Sequence, residues 1–276
     1  MKRYIFALLA LAMLVSMTGC GSAPEGTEPV STTAPTESAE TTEATMPQID
    51  TYDKLLTAIQ NQRSAELAAD LTLPESIVLN GAMLDGFDHT LTGPVYDESK
   101  TQTHNTLTVQ NGLVKNVTLK GDYRCVGDTK ELPQNGTVQL DNVTVDGPNY
   151  ALNFGYGNHT QMLIANDSKF YGWSSYTGVR NASFNNCTFG WDSTGGNGNL
   201  RPDVDTVLSG CVFESKTEED GTLVPFNISL RDTISGITIT LEDCYAGDVL
   251  ITQENVESLL KLDLHGNTLY ISNTEA

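Results

Sequence analysis

The stretch Asn181-Ala-Ser-Phe-Asn-Asn-Cys-Thr-Phe189 constrains this chain more than any other. It reads as two short strands bent at Asn185-Asn186, because apolar residues alternate on either side of the bend. Ala182, Phe184, Cys187 and Phe189 face inward in that reading. Val138–Val145 and Val207–Phe213 repeat the pattern with other residues. Aligned on the residue after the bend, the copies fall at Val117, Val143, Ser168, Cys187, Cys211, Cys244 and Asn267. The intervals are 26, 25, 19, 24, 33 and 23 residues. The residue just before is Asn116, Asn142, Asp167, Asn186, Gly210, Asp243 or Gly266, all types that tolerate a left-handed backbone. An apolar residue precedes it by two: Val114, Leu140, Ala165, Phe184, Leu208, Leu241 and Leu264. A short irregular period of strands with a fixed bend residue predicts a solenoid, with longer loops at 190–207 and 215–237. The fold class expected is all-β, with about eight coils counted from that period.

Asp50–Ile59 carries the clearest helical spacing, with Tyr52, Leu55, Leu56 and Ile59 on one face. Asp50 or Thr51 serves as its N-cap, and Asp53 favours the first turn. From Leu71 onward the pattern changes to short alternating runs. Such a helix covers the first coil, whose apolar side chains and strand edges would otherwise meet water.

The amino terminus reads as an address. Lys2 and Arg3 precede an apolar run, Tyr4 to Met17, which is too short to span a bilayer and suits a signal peptide. Met17-Thr-Gly-Cys20 resembles the bacterial lipobox, in which the Cys is lipidated and becomes the new N-terminus. That resemblance implies lipidation at Cys20, and an anchor of two or more acyl chains attaches stably. Residues 1–20 are then the signal segment, and residues 21–48 a disordered Thr/Glu/Pro-rich tether without aromatic or basic residues. Its flexible span is roughly 30 Å. Residues 49–276 form one domain. The expected location is the extracytoplasmic face of the cell membrane. Without Lys2 and Arg3 the chain holds 13 basic and 35 acidic residues, a net of −22. That excess disfavours nucleic acid and anionic lipid surfaces as partners. A monomer is expected.

The repeats, the leading helix and Leu84-Asp-Gly-Phe-Asp-His-Thr-Leu-Thr-Gly93 together resemble the right-handed parallel β-helix of the pectin-lyase-like superfamily over roughly residues 50 to 272. The enzymes of that superfamily are polysaccharide lyases and glycoside hydrolases. Their motifs are present here only as fragments, Phe87-Asp-His89 and Arg201-Pro-Asp203. Polygalacturonase patterns are missing. A fold by itself licenses no activity.

Cys187, Cys211 and Cys244 share one inward position and predict a ladder of buried thiols, although a disulfide between neighbours is also compatible with an exported protein. Cys125 has no assignable place. The four histidines, 89, 104, 159 and 265, show neither ligand spacing nor a nucleophile motif. Ten of the 20 aromatic residues fall between Tyr150 and Trp191. Trp173, Trp191, Tyr171 and Tyr176, with Arg180 and Arg201, are the candidate carbohydrate-binding set, since flat rings beside Arg and Asp suit sugar faces and hydroxyl edges. Asp192, Asp203 and Asp205 are the candidate oxygen ligands for a calcium ion. Three functions follow as expectations. The first is a non-catalytic surface lipoprotein that binds extracellular glycan or another envelope component. The second is a lyase or hydrolase of acidic polysaccharide, using Arg180, Arg201 or Arg231 with Asp192, Asp203 or Asp205. The third is a structural or adhesive protein.

Overall fold

The computed structural model describes residues 46–99, 105–129, 136–156 and 161–274. The chain divides into two units, Met1–Glu43 and Ala44–Ala276, and every described residue belongs to the second. The signal segment, Cys20, most of the expected tether, His104 and His159 lie outside the described residues.

The second unit is all-β, one mixed and curled sheet of 23 strands with a separate two-stranded ribbon, Lys216–Thr217 and Leu223–Val224. Most of the pairing is parallel and joins strands one repeat apart. Gly112–Lys120 pairs with Gly136–Phe154, which pairs with Gln161–Asn166. The series continues through Asn181–Asn185, Thr206–Ser209, Thr238–Glu242 and Thr268–Ser272. In this register Ala65, Leu84, Val114, Leu140, Ala165, Phe184, Leu208, Leu241 and Ile271 lie directly above one another. All but Ile271 are buried. A one-residue slip would turn every one of them to solvent, so burial fixes the register.

The bends obey the expected chemistry. Asn116, Asn142, Asp167, Asn186 and Asp243 have φ between 50° and 53°, and Gly210 has 63°. Side-chain amides link several bends across the stack: Asn142 Nδ2 donates to Asn116 Oδ1 at 3.0 Å, and Asn186 Nδ2 to Asp167 Oδ1 at 3.3 Å. These bonds lie on the exposed side of the bends and tie one bend to the next. The copy at Leu264–Asn267 is a correction. Leu241 stands over Ile271, so the stack continues through Thr268–Ser272 and not through Leu264. Gly266 does have φ 79°, but it belongs to a different turn beside His265, φ 47°. Local composition matched there while register did not.

The helix spans Tyr52–Gln60 and packs on the strands Gln48–Ile49, Ala65–Leu67 and Ile77–Leu79. Thr51 is its N-cap, with the Lys54 amide donating to Thr51 Oγ1 at 3.4 Å. Leu55 and Ile59 are buried, while Tyr52 and Leu56 are half-buried. Gln48 already lies in a strand, one residue before the expected domain boundary.

Cys187, Cys211 and Cys244 are buried free thiols in one column. Each donates to a carbonyl of the strand stacked before it: Cys187 to Ala165 O, Cys211 to Phe184 O and Cys244 to Leu208 O. The sulfurs of Cys187 and Cys244 on either side, together with burial, push the Cys211 thiol upward. Cys125 is also buried and free, and burial raises its thiol too. The ring cluster Phe170, Phe184, Phe189, Phe213 and Phe226 fills the adjoining core, with centroids 5.2 to 6.4 Å apart.

Two stability measurements test this account. Phe184→Asp should abolish the cooperative thermal transition, because an unpaired carboxylate would replace a fully buried ring. A near-native melting temperature would show that Phe184 does not face inward. Asn142→Val should cost about 1–3 kcal/mol more than Asn142→Gly, because a β-branched side chain is strained at this left-handed backbone. Asn142→Gly, which keeps that backbone and loses one side-chain bond, should cost about 1 kcal/mol. Equal losses would contradict the bend assignment.

Candidate functional site

Trp173 lies in the strand Lys169–Tyr176, between Tyr150 of the strand before it and Asn199 of the strand after it. Tyr150 stacks on the indole at 4.8 Å and 11°. The Arg201 guanidinium stands 4.3 Å from the Trp173 ring centroid. Trp173 is therefore engaged by a ring and a guanidinium from the two neighbouring strands. The column extends further, since Arg124 lies 5.3 Å from both the Tyr123 and Tyr150 rings. Stacked register explains it: Arg124 is opposite Tyr150, and Tyr150 opposite Trp173.

Trp191 is in a separate environment. A Cβ on Gly198 would sit 2.5 Å from its ring, so the Gly198 backbone lies flat against it. The Lys216 ammonium stands 4.3 Å from the Trp191 centroid, within cation–π range, and also donates to Gly195 O at 2.6 Å. Tyr171 is half-buried nearby, and burial, then the Glu214 and Asp146 carboxylates, raise its phenol. Tyr176 is fully buried and touches Phe184 at 5.4 Å. Its place in the carbohydrate-binding set is corrected: register turns it to the core, and no ligand reaches it. The two Trp side chains thus make separate contacts, and each already packs against groups of the chain itself.

The polar candidates gather elsewhere, along the turn that follows the strands Lys169–Tyr176, Asn199–Arg201 and Asn227–Ser229. Asp203 is buried there. Arg231 N donates to Asp203 Oδ1 at 3.0 Å, and Arg231 Nε stands 3.0 Å from Oδ2. Arg231 Nη2 donates to Thr177 Oγ1 at 3.4 Å. Burial raises the Asp203 carboxyl above the usual range, against the pull of Arg231 and Arg201. Two adjoining open grooves border this pair. One, about 370 Å³, is lined by Arg180, Asp203, Asp205, Thr233, Ile234, Ser235 and Ile237. The other, about 530 Å³, is lined by Arg201, Ser229, Arg231, Asp232, Asp263 and His265. Thr233 borders both. His265 Nε2 lies 3.2 Å from Asp263 Oδ1.

Arg180, Arg201, Asp203 and Asp205 are thus brought together, and Trp191, Tyr176 and Asp192 are not. Asp192 is spent on its own loop: its carboxylate accepts from Thr194 N, Thr194 Oγ1, Gly196 N and Asn197 N at 2.6 to 3.1 Å. Asp203 is paired with Arg231, and Asp205 Oδ1 accepts from Thr238 N at 2.8 Å. The candidate calcium set Asp192, Asp203 and Asp205 is corrected accordingly, because these oxygens do not converge. Among the described residues no cluster of three His, Cys, Asp or Glu is placed to hold a metal. Thr177, Asp263 and His265 were not singled out from sequence as parts of one site. The signal that finds Asp263 is register: Leu200 pairs with Ile228, and Ser229, one residue on, pairs with Asp263.

Comparison with family models, with curated proteins and with solved structures found no match.

The raised carboxyl of Asp203 has a sign. A folded pKa above the unfolded one means that the folded state holds the proton longer. Stability contributed by Asp203 should therefore fall as pH rises from the ordinary carboxylate value to the raised one, and then level. Thermal melts across that range should show the wild type losing ground to Asp203→Asn as pH rises; parallel curves would contradict the assignment.

Proposed function

We propose that the chain is a cell-surface lipoprotein that presents a right-handed parallel β-helix and binds a hydroxyl-rich extracellular glycan in the two adjoining grooves. The lipobox-like Met17–Cys20 and the tether-like composition after it support the address. Parallel strands one repeat apart, with inward residues in a single column, support the coil architecture. The observation that carries the binding reading is the interleaving of Arg180, Arg201 and Arg231 with Asp203, Asp205, Asp232 and Asp263 around open grooves. Arginine only donates hydrogen bonds and a carboxylate only accepts them, so such a surface matches hydroxyls, which do both. Three positive charges against four negative ones leave no excess to attract a polyanion, and the chain as a whole carries −20. A neutral glycan is therefore the better partner than an acidic one. The grooves take the place of the Trp faces.

A second reading, a polysaccharide lyase or glycoside hydrolase, has one observation behind it. Buried Asp203 with a raised carboxyl and the Asp263–His265 pair both border the second groove or its neighbour, where an acid and a base would be wanted.

The test is a screen of neutral and acidic glycans on purified residues 46–276, with and without calcium, read for both binding and depolymerisation. Binding of a neutral glycan that weakens at least tenfold in Arg180→Ala/Arg201→Ala and persists in Trp191→Ala is expected. Loss in Trp191→Ala instead would place the ligand on the wrong surface for this account. Release of shortened chains would move the reading to the enzyme. Silence with every glycan would leave a structural or adhesive role.

A further inference from the structure

Among the described residues the last strand of the stack is Thr268–Ser272. Among the described residues this strand pairs on one edge only, with Thr238–Glu242. Its inward residues Leu269 and Ile271 lie over Ile239 and Leu241. Ile239 and Leu241 are fully buried, whereas Leu269 and Ile271 are only half-buried, because no described strand pairs over them. Tyr270, on the outward face, is 57% exposed. The strand thus presents an apolar end together with a row of unpaired backbone groups. Edges of this kind are commonly guarded by Lys, Pro or a bulge. Thr-Leu-Tyr-Ile-Ser contains no charge, no Pro and no bulge.

We propose that this strand pairs antiparallel with the same strand of a second copy about a two-fold axis at Tyr270. The motivation is the order of residue types: hydroxyl, aliphatic, aromatic, aliphatic, hydroxyl. An isologous contact requires a surface complementary to itself. Antiparallel pairing centred on Tyr270 sets Thr268 opposite Ser272, Leu269 opposite Ile271 and Tyr270 opposite its own copy. Hydroxyl pairs and aromatic pairs are favourable across strands. The two apolar columns then become continuous from one copy to the next. The charge pattern favours a second copy over the chain's own amino-terminal residues as the cover. Residues 21–45 contain neither an aromatic residue nor a Lys or Arg, but several Glu, and so offer little to an apolar strand. The chain is strongly acidic at −20, and a charge-free strand is where two such copies approach with least direct repulsion. A dimer departs from the monomer expected from sequence, since an open sheet end is visible only once the strands are stacked.

Sedimentation equilibrium of the full chain in density-matched detergent tests the proposal. A dimer is expected, and Tyr270→Lys should shift it to monomer while leaving the circular dichroism and melting temperature unchanged. Tyr270→Cys supplies a second readout that needs no change in stability. Under mild oxidation it should cross-link to its own copy, and Val249→Cys, exposed but off the axis, should not. A monomer at every concentration, with no cross-link, overturns the proposal, whether the end is bare or covered by residues of the same chain. A dimer that survives Tyr270→Lys and cross-links through Val249→Cys overturns it as well.

Discussion

Everything in this domain depends on one column of inward side chains, from Ala65 to Ile271, held in register by parallel strands. The column is apolar throughout, and its aromatic member Phe184 is fully buried. Burying such a ring contributes about 1.5–3 kcal/mol relative to leaving it in water. No single strand achieves this by itself, since Phe184 is covered by Ala165 and Leu208 of the strands paired on either side. The left-handed bends serve the column. Six consecutive copies place Asn, Asp or Gly where φ is positive, so the chain turns without moving its apolar residues out of line.

The candidate site follows from the same stacking. Residues remote in sequence meet when they occupy equivalent positions of neighbouring strands. Asp203 meets Arg231 and Tyr150 meets Trp173 in this way. Stacking also decides which side chains remain available. The aromatic column Tyr150–Trp173 with Arg201 is filled by its own members and acts as packing on the flank. The grooves beside Arg180, Arg201 and Arg231 remain open. Asp203 illustrates how these demands combine: burial penalises its charge, and Arg231 offsets the penalty through two contacts on the same carboxylate.

Much of the local order was legible in the sequence. Asn116, Asn142, Asp167, Asn186, Gly210 and Asp243 were recognisable as bends, because few residue types tolerate that backbone. The inward positions of Phe184 and Phe189, the thiol column and the helix at Tyr52–Gln60 were legible through alternation and helical spacing. What failed needed register. Leu264–Asn267 matched the repeat in composition, but the strand at 268–272 occupies that layer. Tyr176 read as a surface aromatic until pairing with Phe154 turned it inward. Asp192, Asp203 and Asp205 are close in sequence, yet each is committed to a different local partner. Proximity along a chain of short strands says little about convergence, because successive positions point to opposite faces.

The most direct measurement of the central claim uses the sulfur atoms as markers. Cys187, Cys211 and Cys244 occupy one inward position in three consecutive layers. Sulfur anomalous diffraction from crystals of the domain should place their three Sγ atoms in a row with a spacing of about 4.8 Å, the distance between hydrogen-bonded strands. Sulfurs scattered through the domain, or on different faces of it, would contradict the stacked register on which the core, the bends and the site all rest.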